Sequence, residues 1–257
     1  LLYRELGDYR GQANVHNNIA VVRTTAGRWG EAASSFETAI ELGRRAGGPD
    51  LWGLFVINLG VLHMKGGEHE RARELFGEAL ALFAGIGNSE RQVYALYNLA
   101  HLEREDGRFE AAAELYEIAA MLAGQRGQAE VEIGARAGMG LASLAGGAGD
   151  AARTALREIE GRLEGRDGWW FQGRELVEAL AVQVAAADGD VARAATRLER
   201  SIAAAEPVDL YGASWLLAEC ASVLARHDPE RERASVQAFA QRVEALGFER
   251  MRQRYRR

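Results

Sequence analysis

A repeat with a period of 40 residues constrains the fold of this chain more than any other feature. Residues 98–119 read NLAHLEREDGRFEAAAELYEIA, and the same pattern stands at residues 58–79 and 18–39. Each copy contains a helical stretch, a tight turn at a glycine such as Gly107, and a second helical stretch. Units of this size pack only on their neighbours, so the sequence predicts one continuous solenoid and not two separate domains.

Small residues recur at one position of the second helical stretch, where two helices of a hairpin must cross closely. This column consists of Ala32, Ala72, Ala112, Ala152, Ala194 and Ala234. Four residues further on stands a larger apolar side chain in most units, namely Phe36, Phe76, Tyr116, Leu156, Leu198 and then Ala238. The two columns predict six helical hairpins, over residues 13–48, 53–88, 93–128, 133–168, 175–207 and 215–247.

Glycines stand where the first helix of each of the first five predicted hairpins must end. They are Gly27, Gly67, Gly107, Gly147 and Gly189. Because glycine adopts positive φ without a steric penalty, these positions predict left-handed residues at the helix ends.

The small–aromatic–small pattern of the second helix resembles the tetratricopeptide repeat. The common unit of that family has 34 residues and this one about 40, as in kinesin light chain, bacterial peptide-sensing regulators and the C-terminal sensor regions of bacterial ATPase transcription regulators. The resemblance is strong in the first three units and weaker in the last two. It implies an all-α, right-handed superhelical solenoid. It also implies a protein- or peptide-binding scaffold or sensor within a larger bacterial regulator.

The two ends of the chain depart from the regular units. Residues 3–13 align with residues 83–93 at twice the repeat length, so residues 1–11 are expected to be the end of a truncated preceding repeat. This suggests a longer array and possible contacts with other domains of the full-length protein. Residues 248–257 form a basic tail with five arginines, interpreted as the solvated end of the last helix; contact with an acidic partner or nucleic acid is the alternative.

Composition narrows the setting of the chain. The net charge is −6, and the body without its basic tail is more acidic still, which argues against nucleic-acid binding along the array. The apolar runs are too short to span a bilayer, and the single cysteine, Cys220, cannot form an internal disulfide. These observations lead us to expect a cytoplasmic protein without membrane contact.

No catalytic pattern stands out in the sequence. There is no phosphate-binding loop motif, and the five histidines do not fall at zinc-binding spacings. Cys220 has no sequence-level partner that would activate it, so a packed thiol is expected. We therefore expect neither an enzyme nor a cofactor or metal.

An asparagine column, Asn18, Asn58 and Asn98, marks the first helices of the first three units. In the resembling families the first helices line a concave groove, and such asparagines pair with the backbone of a bound peptide. The alternative is that each asparagine hydrogen-bonds within the array. With neighbours at helical spacing, the predicted peptide-binding residues are Asn14, Asn17, Asn18, Asn58, Lys65, Tyr94, Tyr97, Asn98, His101 and Arg104.

The first helices of units four and five are small and apolar, with Gly134, Leu141 and Leu176 on the same face. This surface suits an amphipathic helix or neighbouring protein better than a charged ligand. Nearby, Trp169 and Trp170 form the densest aromatic cluster. We interpret them as core packing; the alternative function is self-association into a homo-oligomer through these residues and the apolar C-terminal half.

Overall fold

The computed structural model describes residues 2–165, 171 and 173–245. In these residues the chain forms thirteen α-helices and no strand. The helices are α1 Leu2–Glu5, α2 Tyr9–Thr25, α3 Trp29–Arg45, α4 Pro49–Gly66, α5 His69–Gly85, α6 Ser89–Glu105, α7 Phe109–Gln125, α8 Ala129–Ala145, α9 Gly149–Leu163, α10 Arg174–Ala187, α11 Val191–Ala205, α12 Leu210–His227 and α13 Pro229–Ala245.

From α2 onward the helices pair into six antiparallel hairpins, and each hairpin packs on the next. The predicted all-α solenoid of helical hairpins is confirmed. The first helices begin earlier than the predicted repeat starts; before α2, α4, α6 and α8 a left-handed turn glycine is followed by only one residue before the helix begins. At three of these starts the preceding side chain caps the helix: Asp8 accepts from Gly11 N at 2.9 Å, Asn88 from Arg91 N at 3.0 Å, and Asp209 from Gly212 N at 2.9 Å.

The connections between helices follow a spacing of half the repeat. Eight glycines, one every 20 residues, adopt φ between 66° and 88°, and they lie both within and between hairpins. They are Gly7, Gly27, Gly47, Gly67, Gly87, Gly107, Gly127 and Gly147. Gly189 is left-handed too, so all five predicted turn glycines are confirmed. The regular spacing ends at Gly165, and the next helices, α10 and α11, have only 14 and 15 residues.

The small-residue column packs as predicted in five hairpins. Its members from Ala32 to Ala194 are fully buried, and the larger side chains four residues on are buried with them. The assignment in the sixth hairpin was wrong, because Ala234 and Ala238 are exposed there. Phe239 is buried instead. Burial of an aromatic ring contributes far more free energy than burial of a methyl group. The face of α13 that packs inward is therefore shifted by one residue and contains Phe239.

The array curves so that the first helices lie on its inner side. Successive first helices touch each other directly: α4 with α6, α6 with α8, α8 with α10, and α10 with α12. Among the described residues, successive second helices make no comparable contacts. None of the described helices is long and apolar enough to cross a membrane.

Some sequence predictions fall outside the described residues. These are the aromatic pair Trp169 and Trp170 and the basic tail at 248–257. Their neighbour Phe171 is described and is buried.

Candidate ligand-binding groove

Each first helix has three distinct faces. In α2, Ala13 and Ala20 face the hairpin partner and are fully buried, whereas Asn14, Asn18 and Val21 lie on a separate exposed side. Because residues three, four and seven apart share a helix face, the equivalent side of α4 carries Asn58 and Lys65. These sides of the inner helices form the candidate groove.

The asparagines of the first two units are joined by side-chain hydrogen bonds. Asn58 Nδ2 donates to Asn17 Oδ1 at 2.9 Å, and Asn17 Nδ2 donates to Asn18 Oδ1 at 3.4 Å. Asn18 is exposed, whereas Asn17 and Asn58 are half-buried. The predicted residues Asn17, Asn18 and Asn58 thus come together as one amide chain that links α2 to α4 and ends at the surface.

Asn98 behaves differently from the other members of its column. Its side chain is 6% exposed, and its Nδ2 donates to the Tyr94 carbonyl at 2.8 Å within α6. Tyr94 itself is half-buried, and its hydroxyl accepts from Gln128 Nε2 at 3.4 Å. The hydrogen bonding within the array that the alternative interpretation expects is therefore present at Asn58 and Asn98.

Arg104 is held by a helix of the last hairpin. Its Nη1 donates to Glu219 Oε1 of α12 at 2.8 Å, and its Nη2 donates to Glu105 Oε1 at 2.9 Å. Trp215 Nε1 of α12 donates to Glu105 at 3.0 Å, and the guanidinium lies 5.2 Å from the Trp215 ring centroid. We call these four residues, Arg104, Glu105, Trp215 and Glu219, the clasp. Arg104 is only 7% exposed, so the structure does not present its guanidinium to solvent as the peptide-binding prediction requires.

Tyr97 and His101 lie beside the clasp. The Tyr97 ring meets the Tyr116 ring edge-on at 5.9 Å, and the Tyr116 hydroxyl lies 3.3 Å from His101 Nδ1. The His101 ring is 5.8 Å from the Trp215 ring. Burial raises the pKa of Tyr97 well above its ordinary value, so this hydroxyl stays neutral. Tyr97 thus packs against α7, and His101 lies between α7 and α12.

A second set of contacts ties Lys65 to the start of α12. Its ammonium lies 4.3 Å from the Tyr211 ring centroid, in cation–π contact. Burial lowers the pKa of Lys65, although the negative charges of Asp209 and Glu175 oppose that shift. Burial and Asp209 together raise the pKa of the Glu175 carboxyl to about 7. Lys65, Glu175, Asp209 and Tyr211, each half-buried, thus form a polar cluster where α4 meets the start of α12.

The apolar half of the inner side is covered by the chain itself. Gly134, Leu141 and Leu176 are buried, since α10 packs on α8 and α12 packs on α10. The neighbouring protein expected on this surface is thus another part of the same chain. What stays open is the side formed by α2 and α4, with Tyr94 of α6 at its edge.

Sequence reasoning missed the residues of α12 that reach across the array. Trp215 stands at a position typical of packing between adjacent repeats, yet its indole donates to a carboxylate 110 residues earlier in the chain. Nothing in the repeat pattern marks Glu219 or Tyr211. A buried tryptophan whose N–H needs an acceptor is the one signal that pointed to a polar partner.

The comparisons with known proteins agree with this geometry. Residues 53–120 match the tetratricopeptide repeat family. No curated protein matches the chain. Among solved structures, the chain is similar to a Rap protein in complex with competence and sporulation factor, with a TM-score of 0.65 and 14% identity over 95% of this chain and 72% of that one.

Two further structures share the fold. The Rap conjugation gene regulator of plasmid pLS20, in complex with the Phr* peptide, has a TM-score of 0.64 and 14% identity over 93% of this chain and 71% of that one. Kinesin light chain repeats from Podosopora anserina have a TM-score of 0.59 and 17% identity over 78% of this chain and 97% of that one. Residues 53–120 thus match the tetratricopeptide repeat family, and the chain shares the helical-hairpin fold of these solved structures.

Proposed function

We propose that this chain binds an extended peptide or protein segment along the open inner side of α2 and α4. The observation that carries the proposal is the amide chain from Asn58 through Asn17 to Asn18, which ends at an exposed side chain. An asparagine offers both a donor and an acceptor, and a peptide backbone presents both in turn. Such pairing holds an extended segment without selecting its side chains.

Apolar side chains beside the amides complete the site. Val21 is 45% exposed next to Asn18, and Val61 is half-buried one turn after Asn58. A mixed surface of this kind suits a peptide with alternating polar and apolar side chains, because the amides receive its backbone and the valines its side chains.

The setting we propose is the sensor or scaffold region of a larger bacterial regulator in the cytoplasm. Support comes from the two Rap structures, each solved with a bound factor or peptide, one of which is named a conjugation gene regulator. The proposal gives the chain no catalytic step. Its proposed role is to bind the peptide and to transmit that binding to the rest of the regulator.

The test begins with selection of binders from a random peptide library on the immobilised chain, followed by calorimetry. We expect the double variant Asn18→Ala/Asn58→Ala to bind a selected peptide about thirtyfold more weakly, because two amide pairs worth about 1 kcal/mol each are lost. The control is Glu37→Ala, an exposed change on the second helix α3. Equal affinity in the double variant and the parent, with unchanged melting temperatures, would contradict the proposal.

A further inference from the structure

A groove runs between the second helices α9 and α11 on the outer side of the array. It has a volume of about 490 Å³, and its floor is apolar, with Leu156 of α9 and Val184 of α10. Its two walls contain four arginines, namely Arg153, Arg157, Arg193 and Arg197. We call this feature the arginine groove.

The repeat register shows that arginine on both walls is specific to this junction. The wall positions stand one and five residues after the small-residue column in one hairpin, and one before and three after it in the next. At the preceding junction the same positions hold Ala113, Glu117, Ala151 and Ala155. The packing of the repeat therefore does not require the four arginines.

Two of these arginines pair with carboxylates of the same chain. Arg153 Nη2 lies 2.7 Å from Asp188 Oδ1. Arg197 Nε lies 2.9 Å from Glu178 Oε2, and its Nη1 lies 2.9 Å from Glu160 Oε1. The charges of Arg153 and Arg197 are therefore compensated within the fold.

The other two, Arg157 and Arg193, are exposed, and neither has a carboxylate within ion-pair distance in the part of the chain that the structure describes. Arg157 Nη2 donates to Thr154 Oγ1 at 3.1 Å. Arg193 lies in the first turn of α11, where a positive charge opposes the helix dipole. Apart from the cap residue Asp190, this turn has no acidic residue, whereas the first turns of α5, α7 and α9 each contain one. Both guanidinium groups are thus available to a partner.

The net charge of the groove limits the kind of partner. Asp150, Glu160 and Asp188 also line it, so the arginines exceed the carboxylates by one. A polyanion such as nucleic acid needs a larger excess of positive charge. A protein surface that carries a few carboxylates beside apolar side chains matches the groove better.

The outer face of α7 has this composition. It contains Glu110, Glu114 and Glu117, and α7 has no basic residue. All three glutamates are exposed, and none forms an ion pair within the described residues. Ile118 and Met121 share the face at helical spacing and are 42% and 53% exposed. We call these five residues the acidic ridge.

We propose that the acidic ridge of one copy of this chain docks in the arginine groove of a second copy. The carboxylates of the ridge pair with Arg157 and Arg193, and its two exposed apolar side chains cover the apolar floor. Because ridge and groove are different surfaces, the contact is head-to-tail. It is also small, so the association is weak. This contact lies on the outer side and does not depend on the proposed peptide groove.

The test is sedimentation equilibrium of the full chain at up to about 1 mM, where an interface with a Kd of about 100 μM is populated. We expect the mean mass to rise with protein concentration at low salt. The mass should fall at about 1 M salt, because exposed ion pairs are screened. A parent chain that stays monomeric throughout this range would overturn the proposal.

Two charge-reversal variants show which surfaces meet. Glu114→Arg/Glu117→Arg alters the ridge and leaves the groove intact, whereas Arg157→Glu/Arg193→Glu alters the groove and leaves the ridge intact. All four positions are exposed, so the fold should be retained. Each variant alone should stay monomeric. An equimolar mixture should associate, because the intact groove of the first variant accepts the intact ridge of the second.

The matched control is Glu37→Arg/Glu74→Arg, which makes the same change of charge at exposed positions of α3 and α5. This variant should associate like the parent. Association of either ridge or groove variant alone to the extent of the parent would overturn the proposal. A mixture of the two that stays monomeric would overturn it as well.

Discussion

Glu175 and Glu178 lie one turn apart at the start of α10, and their surroundings move their pKa values in opposite directions. Burial and the nearby Asp209 raise the pKa of Glu175 to about 7. Burial alone would also raise the pKa of Glu178, but Arg197 and Arg174 outweigh it and leave that pKa lowered. The two arginines lie 2.9 Å and 2.7 Å from the Glu178 oxygens.

The first prediction concerns Glu175→Gln. A folded pKa near 7 lies above the unfolded value of about 4.3, so the native state binds the proton more tightly and loses stability as pH rises between the two values. The glutamine variant should therefore be more stable than the parent by about 2 kcal/mol at about pH 8, allowing for partial exposure of the side chain. Chemical denaturation across that range should show the difference vanishing below about pH 4.3.

Glu178→Gln is the matched control, because it removes a carboxylate that is paired with two arginines. We expect a loss of about 3 kcal/mol near neutral pH, since Arg174 and Arg197 would keep their charges without this partner. The loss should shrink as pH falls, because the parent carboxyl then takes up a proton. Stabilisation by both variants at about pH 8 would contradict the opposite shifts.

A second residue-scale prediction concerns two glycines of the second hairpin. A Cβ at Gly60 would lie 2.5 Å from a Phe76 ring carbon, whereas one at Gly77 would meet nothing within 4 Å. Gly60→Ala should cost about 2 kcal/mol through overpacking, and Gly77→Ala should stabilise by up to about 1 kcal/mol. Thermal melting of the two variants distinguishes these signs, and equal melting temperatures would argue against close crossing at Gly60.

At this scale much of the core was predictable from the sequence. The column from Ala32 to Ala194 is set by contacts within one hairpin, which recur every repeat and so leave a periodic signal. The failure at Ala234 and Ala238 has the same origin, because the one aromatic residue in the sequence of α13, Phe239, stands one position away from the column and is buried. The free energy gained by burying that ring decides which face of α13 packs inward, and the repeat register is not kept there.

At the scale of elements, the clasp between α6 and α12 is the contact that the repeat does not explain. Trp215 and Glu105 lie 110 residues apart in the sequence, and Arg104 and Glu219 lie 115 apart. The side chains of Glu105 and Arg104 are only 1% and 6% exposed. Removing one partner of a buried ion pair is strongly destabilising, because the remaining charge stays buried without a partner to offset its desolvation. The clasp should therefore couple the position of the last hairpin to the third.

A double-mutant cycle on Arg104→Met and Glu219→Met measures this coupling. We expect the two losses of stability to be non-additive by about 2 kcal/mol, because either single change leaves a buried charge poorly paired. Arg231→Met and Glu199→Met form the control cycle, since that pair is 2.6 Å apart but its side chains are 62% and 31% exposed, and its coupling should stay below about 1 kcal/mol. Additive losses in the first cycle would show that Arg104 and Glu219 are not energetically coupled, and would contradict this prediction.

The hairpins and their turns could be predicted because they depend on neighbours in sequence. The clasp could not, because it depends on how the array curves over three hairpins and so brings α12 against α6. The same curvature explains why Arg104 and Tyr97 were assigned to an open groove. A helix face that a flat array would expose is covered once the array bends back on itself.

At the scale of the whole molecule, the array is open at its N-terminal half and closed at its C-terminal half. The inner sides of α2 and α4 keep polar groups accessible, whereas those of α8 and α10 are covered by α12 or by each other. A ligand that binds near Asn58 would lie next to Lys65, whose cation–π contact with Tyr211 belongs to the closed half. The proposed binding site and the last hairpin are therefore adjacent, and they meet at the contact between Lys65 and Tyr211.

The central claim is that ligand binds to the inner first helices of the open half. Photo-crosslinking tests it most directly, with benzoylphenylalanine placed at Val21 or Val61 on first helices and, as controls, at the exposed Glu37 or Glu117 on second helices. A peptide selected on the parent chain should crosslink from Val21 and Val61 and not from the controls. Crosslinks from Glu37 or Glu117, with none from Val21 or Val61, would contradict the account.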